Sequence, residues 1–413
     1  MAVTVTQRPQ QYTPSDNPIV YAFRQPLTVS GNTKYNVSFI VYAYINDAII
    51  GTFEVFPEVL SSYHYGKIDL STKVKSYIPN HPISGTGSNP IYNPSNCVAV
   101  SVVVYEKYSL NINDTPTIDT GSSVLDSYSY VFKGSLNRNE FINWDYTAYV
   151  KGVTTMEFLT SKEITTNQYN EDLKKGDTTI LSWFEGNTYG VTPTDYNVNY
   201  EYILPTGNVT VLKNVTGASQ GLVGALRFNL AEELSLGNIS AGTYSDCTGV
   251  EIRLLSAFPD FDPISSLYKI TFANECFDKG ANLLWLNKFG SYDNYRFTYN
   301  SRISAKIESK SFSKMQGGWN GNTYVPTDNT SGKIDYLKTI TKQLELSSDW
   351  LTEDEQAYVV NVYESPLIYL NDSTEVENVV ITNSAYQLKQ SEHDELFNEV
   401  INIEFSNYKS ISL

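Results

Sequence analysis

Tyr35-Asn-Val-Ser-Phe-Ile-Val-Tyr-Ala-Tyr-Ile45 alternates so that Tyr35, Val37, Phe39, Val41, Ala43 and Ile45 fall on one side of an extended chain. A period of two, carried by β-branched and aromatic residues, describes a half-buried strand. Asn46-Asp47 supplies turn residues, and Ile49 to Phe56 returns, so the passage reads as a β-hairpin. Downstream, Cys97 to Tyr105 is a nearly continuous apolar run of the kind buried on both faces, and Tyr128 to Phe132 resumes after a polar loop. One short helix fits between the hairpin and Cys97, Thr72 to Tyr77, entered at Ser71 and stopped before Pro79. Residues 1–148 therefore read as a β-sandwich.

A second set of short strands starts near Val153 and continues through Ile180–Phe184, Tyr196–Leu204, Val209–Val215, Val250–Leu255 and Leu267–Phe272. Turn residues part them at sandwich-like intervals. Gly317-Gly-Trp-Asn-Gly321 marks the next boundary. Beyond it, Ile334 to Leu346 alternates as a strand. Thr352-Glu-Asp-Glu355 is a capping box opening a helix to about Glu364, which Ser365-Pro366 ends. Strands Leu367–Leu370, Val379–Thr382 and Ile401–Phe405 follow. The expected fold is mostly β: two tandem antiparallel β-sandwich-like modules, 1–148 and 149–318, followed by a small α+β module, 319–413.

The chain has 413 residues, 41% of them hydrophobic and 18% charged, which is ample for packed cores. Its 45 acidic against 29 basic residues give a formal charge of −16, with no basic run beyond pairs such as Lys174-Lys175. Nucleic-acid binding needs a cationic footprint to displace counterions, so sequence-specific nucleic-acid binding is not expected, and an anionic membrane is disfavoured for the same reason. The N-terminal residues Met1 to Pro9 lack the charged start and apolar stretch of a signal peptide, so synthesis and retention in a cytosol are expected. In that setting the Asn-x-Ser/Thr sequons, such as Asn208-Val-Thr210, are chance.

Candidate chemistry is sparse. Ile118-Asp119-Thr120-Gly121-Ser122-Ser123 copies the D-T-G-S loop of pepsin-like proteases, whose two carboxylates share one proton. A second such loop is absent and the upstream residues Asn111 to Thr117 are polar, so Asp119 reads as ordinary loop chemistry. Asp260-Phe-Asp262 resembles a cation-binding D-x-D pair but lies between Pro259 and Pro263, and two carboxylates fall short of the six or more oxygens calcium takes. Glu392-His-Asp-Glu395 reads as a solvated turn. Cys97, Cys247 and Cys276, with His64, His81 and His393, are too scattered for zinc or Cys-His chemistry. No phosphate-binding loop, nucleophile elbow or H-E-x-x-H helix is present. No catalytic, cofactor-binding or metal residue is assigned. The 32 tyrosines, with Trp144, Trp183, Trp285, Trp319 and Trp350, suit cores and interfaces first and sugar platforms second.

Three passages carry a resemblance. They are Tyr268 to Cys276 followed by Leu283-Leu-Trp-Leu-Asn-Lys-Phe-Gly290-Ser-Tyr-Asp-Asn-Tyr-Arg-Phe297; Leu344 to Glu355 with Glu364-Ser-Pro366-Leu-Ile-Tyr369-Leu and Val379-Val-Ile-Thr382; and Gly66-Lys-Ile-Asp-Leu-Ser71 to Tyr77. Together they resemble virion structural proteins of tailed phages infecting Bacteroidota, the crAss-like group included, which build tail or neck rings. Asn378-Val-Val departs from that pattern, where relatives often carry proline. The resemblance implies a non-enzymatic virion protein, made in the host cytoplasm, forming a homo-oligomeric ring in the tail or the head–tail junction beside other tail, neck or portal proteins. The alternative is a receptor- or carbohydrate-binding tail module. Read physically, the Trp285 passage is a strand, a reversal at Gly290 and a return strand Tyr295–Tyr299.

Overall fold

A computed structural model describes residues 3–79, 91–92, 96–126, 128–152, 155–165, 167–186, 195–215, 223–257, 259–272, 280–297, 299–314, 317–325, 332–372, 375–383 and 397–412. The chain is mostly β, with several antiparallel sheets and a few short helices. It divides into two compact units: Met1–Ala273 with Asn287–Asp293, and Asn274–Leu286 with Asn294–Leu413.

In the first unit, the hairpin Tyr35–Ile45/Ala48–Val55 turns at Asn46 and Asp47, whose φ angles of 47° and 65° suit a two-residue hairpin turn. Phe39, Val41 and Ala43 are fully buried, while Tyr35 is exposed. The cause is Asn36, at φ 52°, beside a register shift against Lys107–Ser109, which releases Tyr35 from the inward parity. Cys97–Ser109 pairs on one side with Tyr35–Ile45 and on the other with Ser129–Phe132 and then Thr117–Leu125. A second sheet, ordered Thr4–Gln7, Val20–Pro26, Tyr63–Asp69, Glu58–Leu60, covers it. The sheets close tightly at Gly66, where a Cβ would lie 2.3 Å from the Phe23 ring and 2.8 Å from that of Phe39. The nearby helix is Ser71–Lys75, with Val74 buried. Ser71 does not cap it: Asp69 Oδ1 accepts from the Ser71 N–H at 2.9 Å instead.

Residues 168–272, joined by Ile91–Tyr92, form a second pair of sheets. One is ordered Gln168–Leu173, Leu267–Phe272, Gly249–Ser256, Tyr196–Ile203, Val209–Val215, the other Ile91–Tyr92, Val223–Phe228, Thr179–Phe184. Two pairings are parallel where antiparallel was expected: Tyr12–Pro14 with Ser129–Phe132, and Gln168–Leu173 with Leu267–Phe272. The expected start at Val153 lies outside the described residues. The boundary at 148 separates no compact units. Ile91–Tyr92 pairs with Val223–Phe228, and one core joins Tyr12, Ala99, Phe132 and Trp144 to Phe184, Val223 and Phe289. Short helices Arg138–Ile142, Leu230–Ser235 and Ala241–Asp246 are capped by Asn137, Asn229 and Ser240.

The second unit holds a seven-stranded sheet ordered Tyr292–Phe297, Ala281–Leu286, Ile368–Asp372, Glu375–Ile381, Val400–Ser412, Gly332–Ser347, Tyr299–Lys314. Helix Glu353–Glu364, opened by the Thr352/Glu355 capping box, buries Tyr358, Val359 and Val362 against Leu283, Trp285, Leu344 and Ile403. The boundary placed at 318 falls between Tyr299–Lys314 and Gly332–Ser347, which pair with each other, and Gly318–Asn320/Thr323–Val325 forms a small hairpin within that connection.

The turn at Gly290 belongs to the first unit. Asn287 organises it: Oδ1 accepts from the N–H groups of Phe289 and Ser291, both at 3.0 Å, and Nδ2 donates to the Leu159 carbonyl at 2.9 Å. Gly290 has φ 74°, and a Cβ there would sit 1.6 Å from the Lys133 carbonyl oxygen. The return strand begins at Tyr292, three residues before the sequence expectation. Gly290→Ala should therefore cost about 3 kcal/mol or more, from overpacking and left-handed strain. Trp285→Ala, emptying a fully buried site beside Tyr358, should cost about 3–5 kcal/mol. Urea unfolding of both variants checks these values, and a melt of either indistinguishable from the parent contradicts the packing described.

Candidate functional site

The D-T-G-S motif is a bend in the strand Thr117–Leu125. Its register against Cys97–Ser109 jumps from Val124 to Asp119, so residues 120–123 bulge out. Asp119 Oδ1 accepts from the Gly121 N–H at 2.9 Å, the Ser122 hydroxyl donates to the Asp119 carbonyl at 2.7 Å, and Ser122 Oγ accepts from the Glu106 N–H at 2.9 Å. Every motif group described here is used in holding the bulge. Asp119 does stand opposite Glu106, but the Glu106 carboxylate is bound by the Lys34 ammonium at 2.7 and 2.9 Å.

Among the described residues of the first unit, that ion pair is one of four of the same design. Lys34–Glu106 lies under Tyr108, Lys151–Glu185 under Tyr196, Lys162–Glu171 under Tyr268, and Lys213–Glu233 under Tyr200. In each, a lysine crosses to a buried carboxylate with its ammonium 4.2 to 5.8 Å from a tyrosine ring centre, a cation–π contact that offsets part of the lost hydration. Burial pushes the Glu106 carboxyl up, against the pull of Lys34. Asp293, which accepts from the Thr160 hydroxyl at 2.6 Å and the Ser161 N–H at 3.0 Å, is also raised by burial.

Other sequence candidates are dispersed. Asp260 and Asp262 are exposed on a tight loop in which the Asp262 N–H donates to Ser256 Oγ at 2.9 Å. Among the described residues, no group of three His, Cys, Asp or Glu side chains could hold a metal ion. The Cys97 and Cys247 thiols are pushed up by burial, unlike activated nucleophiles. His64 is buried, and burial and then Lys34 push its imidazole down. Cys276, His81, His393 and Glu392–Glu395 lie outside the described residues. Trp144, Trp183 and Trp285 are core residues, whereas Trp319 and Trp350 are 76% and 64% exposed.

The unsatisfied part of the molecule is at strand edges. Tyr299–Lys314 is 16 residues long and ends its sheet, with Gly332–Ser347 as its one neighbouring strand among the described residues. At about 3.3 Å per residue it spans roughly 50 Å. Its residues Ile303 and Ile307 are 77% and 62% exposed, although Ile303 is paired with the core residue Leu344. Ala48–Val55 ends a sheet in the first unit, and Ile49, Phe56, Val59 and Leu60 in and beside it are exposed. A long edge with apolar side chains is a template for pairing with another chain.

No protein-family model matches the chain, and no curated protein matches it significantly. Among solved structures, the full extracellular region of plexin A4 aligns at 7% identity and a TM-score of 0.17, covering 98% of this chain and 39% of that one. The chain thus spans about two fifths of that structure, and a likeness this faint carries no argument about fold or function.

The buried pairs make a direct prediction. Lys34→Met keeps the apolar stem but leaves Glu106 alone, and should cost about 3–5 kcal/mol at pH 8. A carboxyl raised in the folded state takes up its proton there first as pH falls. The deficit should therefore shrink between the raised native value and the ordinary glutamate value of 4.5. The double variant Lys34→Met/Glu106→Leu should recover most of the loss and lack this pH dependence. Urea titrations at pH 5 and pH 8 measure both, and a pH-independent Lys34→Met deficit contradicts the assignment.

Proposed function

We propose that this chain is a non-enzymatic structural subunit of a phage virion, made in the host cytoplasm and assembled as a ring in the tail or at the head–tail junction. The observation that carries this reading is the pair of strand edges that no other described strand covers, Tyr299–Lys314 and Ala48–Val55, which bear the exposed Ile303, Ile307 and Ile49. They suit repeated contact with like subunits better than an isolated existence. The tail-ring resemblance of the Leu283–Phe297 and Leu344–Thr382 passages agrees with it, and so does the use of Asp119, Glu106 and Ser122 in fold support. Neighbouring tail, neck or portal proteins are the proposed partners. Sequence-specific nucleic-acid binding is not part of the reading, given the charge of −16. Among the described residues, no helix is long and apolar enough to cross a membrane.

A second reading, a receptor- or carbohydrate-binding tail module, is favoured by one feature: the exposed Trp319 stands edge-on to Tyr324, ring centres 5.8 Å apart. Light scattering over a wide concentration range, with negative-stain images, separates the two. The ring reading expects closed, rotationally symmetric particles and no loss of them in Trp319→Ala. A strict monomer, alone and mixed with other virion proteins, overturns it. Loss of glycan binding in an otherwise intact Trp319→Ala protein favours the second reading.

A further inference from the structure

The two strand edges complement each other in charge and in side-chain parity. Within Tyr299–Lys314, the described side chains Arg302, Lys306 and Lys310 are cationic and Glu308 alone is acidic. With three cations to one acid this edge is net positive, so the edge that matches it best is an acidic one. The segment from Asn46 to Ser62 contains no Lys or Arg and carries Asp47, Glu54 and Glu58. It is therefore the natural acidic counterpart within this same chain.

Parity sharpens the match. In Tyr299–Lys314, Ile303, Ala305 and Ile307 share one face, the face on which paired Leu344 enters the core. Arg302, Lys306, Glu308 and Lys310 share the other. In Ala48–Val55, Phe53 and Val55 face the core, opposite Val41 and Phe39, while Thr52 and Glu54 point the other way. An antiparallel register with Lys306 opposite Glu54 sets Ile307 opposite Phe53, Ala305 opposite Val55 and Glu308 opposite Thr52. Apolar then meets apolar on one face, and ammonium meets carboxylate on the other. Glu54 already accepts from the Ser38 hydroxyl at 2.7 Å and the Lys107 ammonium at 3.0 Å, both on Oε1, so Oε2 is the atom for the incoming Lys306.

We propose that strand Tyr299–Lys314 of one copy adds antiparallel to the outer edge of Ala48–Val55 of a second copy, in the register Lys306–Glu54. The contact uses different surfaces on the two copies, the heterologous kind that closes a ring when its rotation closes and runs on as a filament when it does not. It rests on the ring reading and names the joint that such a ring would use.

The test combines charge exchange with cross-linking. Lys306→Glu and Glu54→Lys should each raise the concentration for half-assembly, read by light scattering, by about tenfold or more. The double exchange Lys306→Glu/Glu54→Lys should restore assembly toward the parent value. Each exchange also breaks a surface ion pair, Lys107–Glu54 or Lys306–Glu308, so a small drop in melting temperature is expected, and assembly is compared well below every variant's melt. In parallel, Glu308→Cys chains mixed with Thr52→Cys chains under mild oxidation should give a disulfide-linked pair that neither variant gives alone. Single exchanges that leave assembly unchanged, or a double exchange without rescue, overturn this joint while rings in the images keep the ring reading. A specific cross-link without closed particles keeps the joint and overturns the ring. A monomer that also fails to cross-link overturns both.

Discussion

A strand without a polar face must be covered twice, and the first unit is organised around that demand. Val98, Ala99, Val100 and Val102 are all buried, so no side of this run reaches water. On one side Val98, Val100 and Val102 meet Tyr21, Phe23, Phe39 and Val41. On the other, Ala99 is small enough to admit an aromatic layer of Tyr12, Phe132, Trp144 and Phe184, with Tyr12 and Phe184 stacked at 4.1 Å. Rings bury large areas with few rotatable bonds, so this layer joins the two sandwiches at low entropic cost. Two tandem modules therefore act as one compact unit.

Much of this was legible where the information is local. The hairpin turn at Asn46-Asp47, the Thr352/Glu355 capping box and the glycine reversal at Gly290 are set by residues within a few positions of one another. What was not legible is non-local. The parallel pairing of Gln168–Leu173 with Leu267–Phe272 leaves no mark on either strand's pattern. Gly317 to Gly321 read as a module boundary because a hairpin and a boundary loop use the same turn chemistry. Asn137, with Glu140 three residues on, was a visible capping signal that the short apolar stretch after it failed to support. As for the site, Ile303 and Ile307 alternate as buried residues do, and only the end of the sheet beside them reveals their exposure.

The four Lys–Glu pairs differ electrostatically from the pairs at strand edges. Their partners are as far as 72 residues apart in sequence, beyond the reach of motif reading, and their burial shields them from salt. Pairs at strand edges, such as Lys306–Glu308 and Lys107–Glu54, are partly open to solvent and are screened within about 8 Å at physiological ionic strength. Raising salt should thus weaken these surface pairs at concentrations that leave the buried pairs intact.

The Asn287 turn also constrains how the protein can be made. The first unit is interrupted in sequence: it contains Met1–Ala273 and is completed only by Asn287–Asp293. Until that segment leaves the ribosome, the Leu159 carbonyl lacks Asn287, the Asn96 amide lacks the Gly290 carbonyl, and Thr160 and Ser161 lack Asp293. At ordinary rates of about 5–20 residues per second, the delay after Ala273 is about one to four seconds of translation. During that interval the nascent unit holds open buried polar positions that a misplaced strand could fill, so the timing of synthesis joins the list of things this sequence must tolerate.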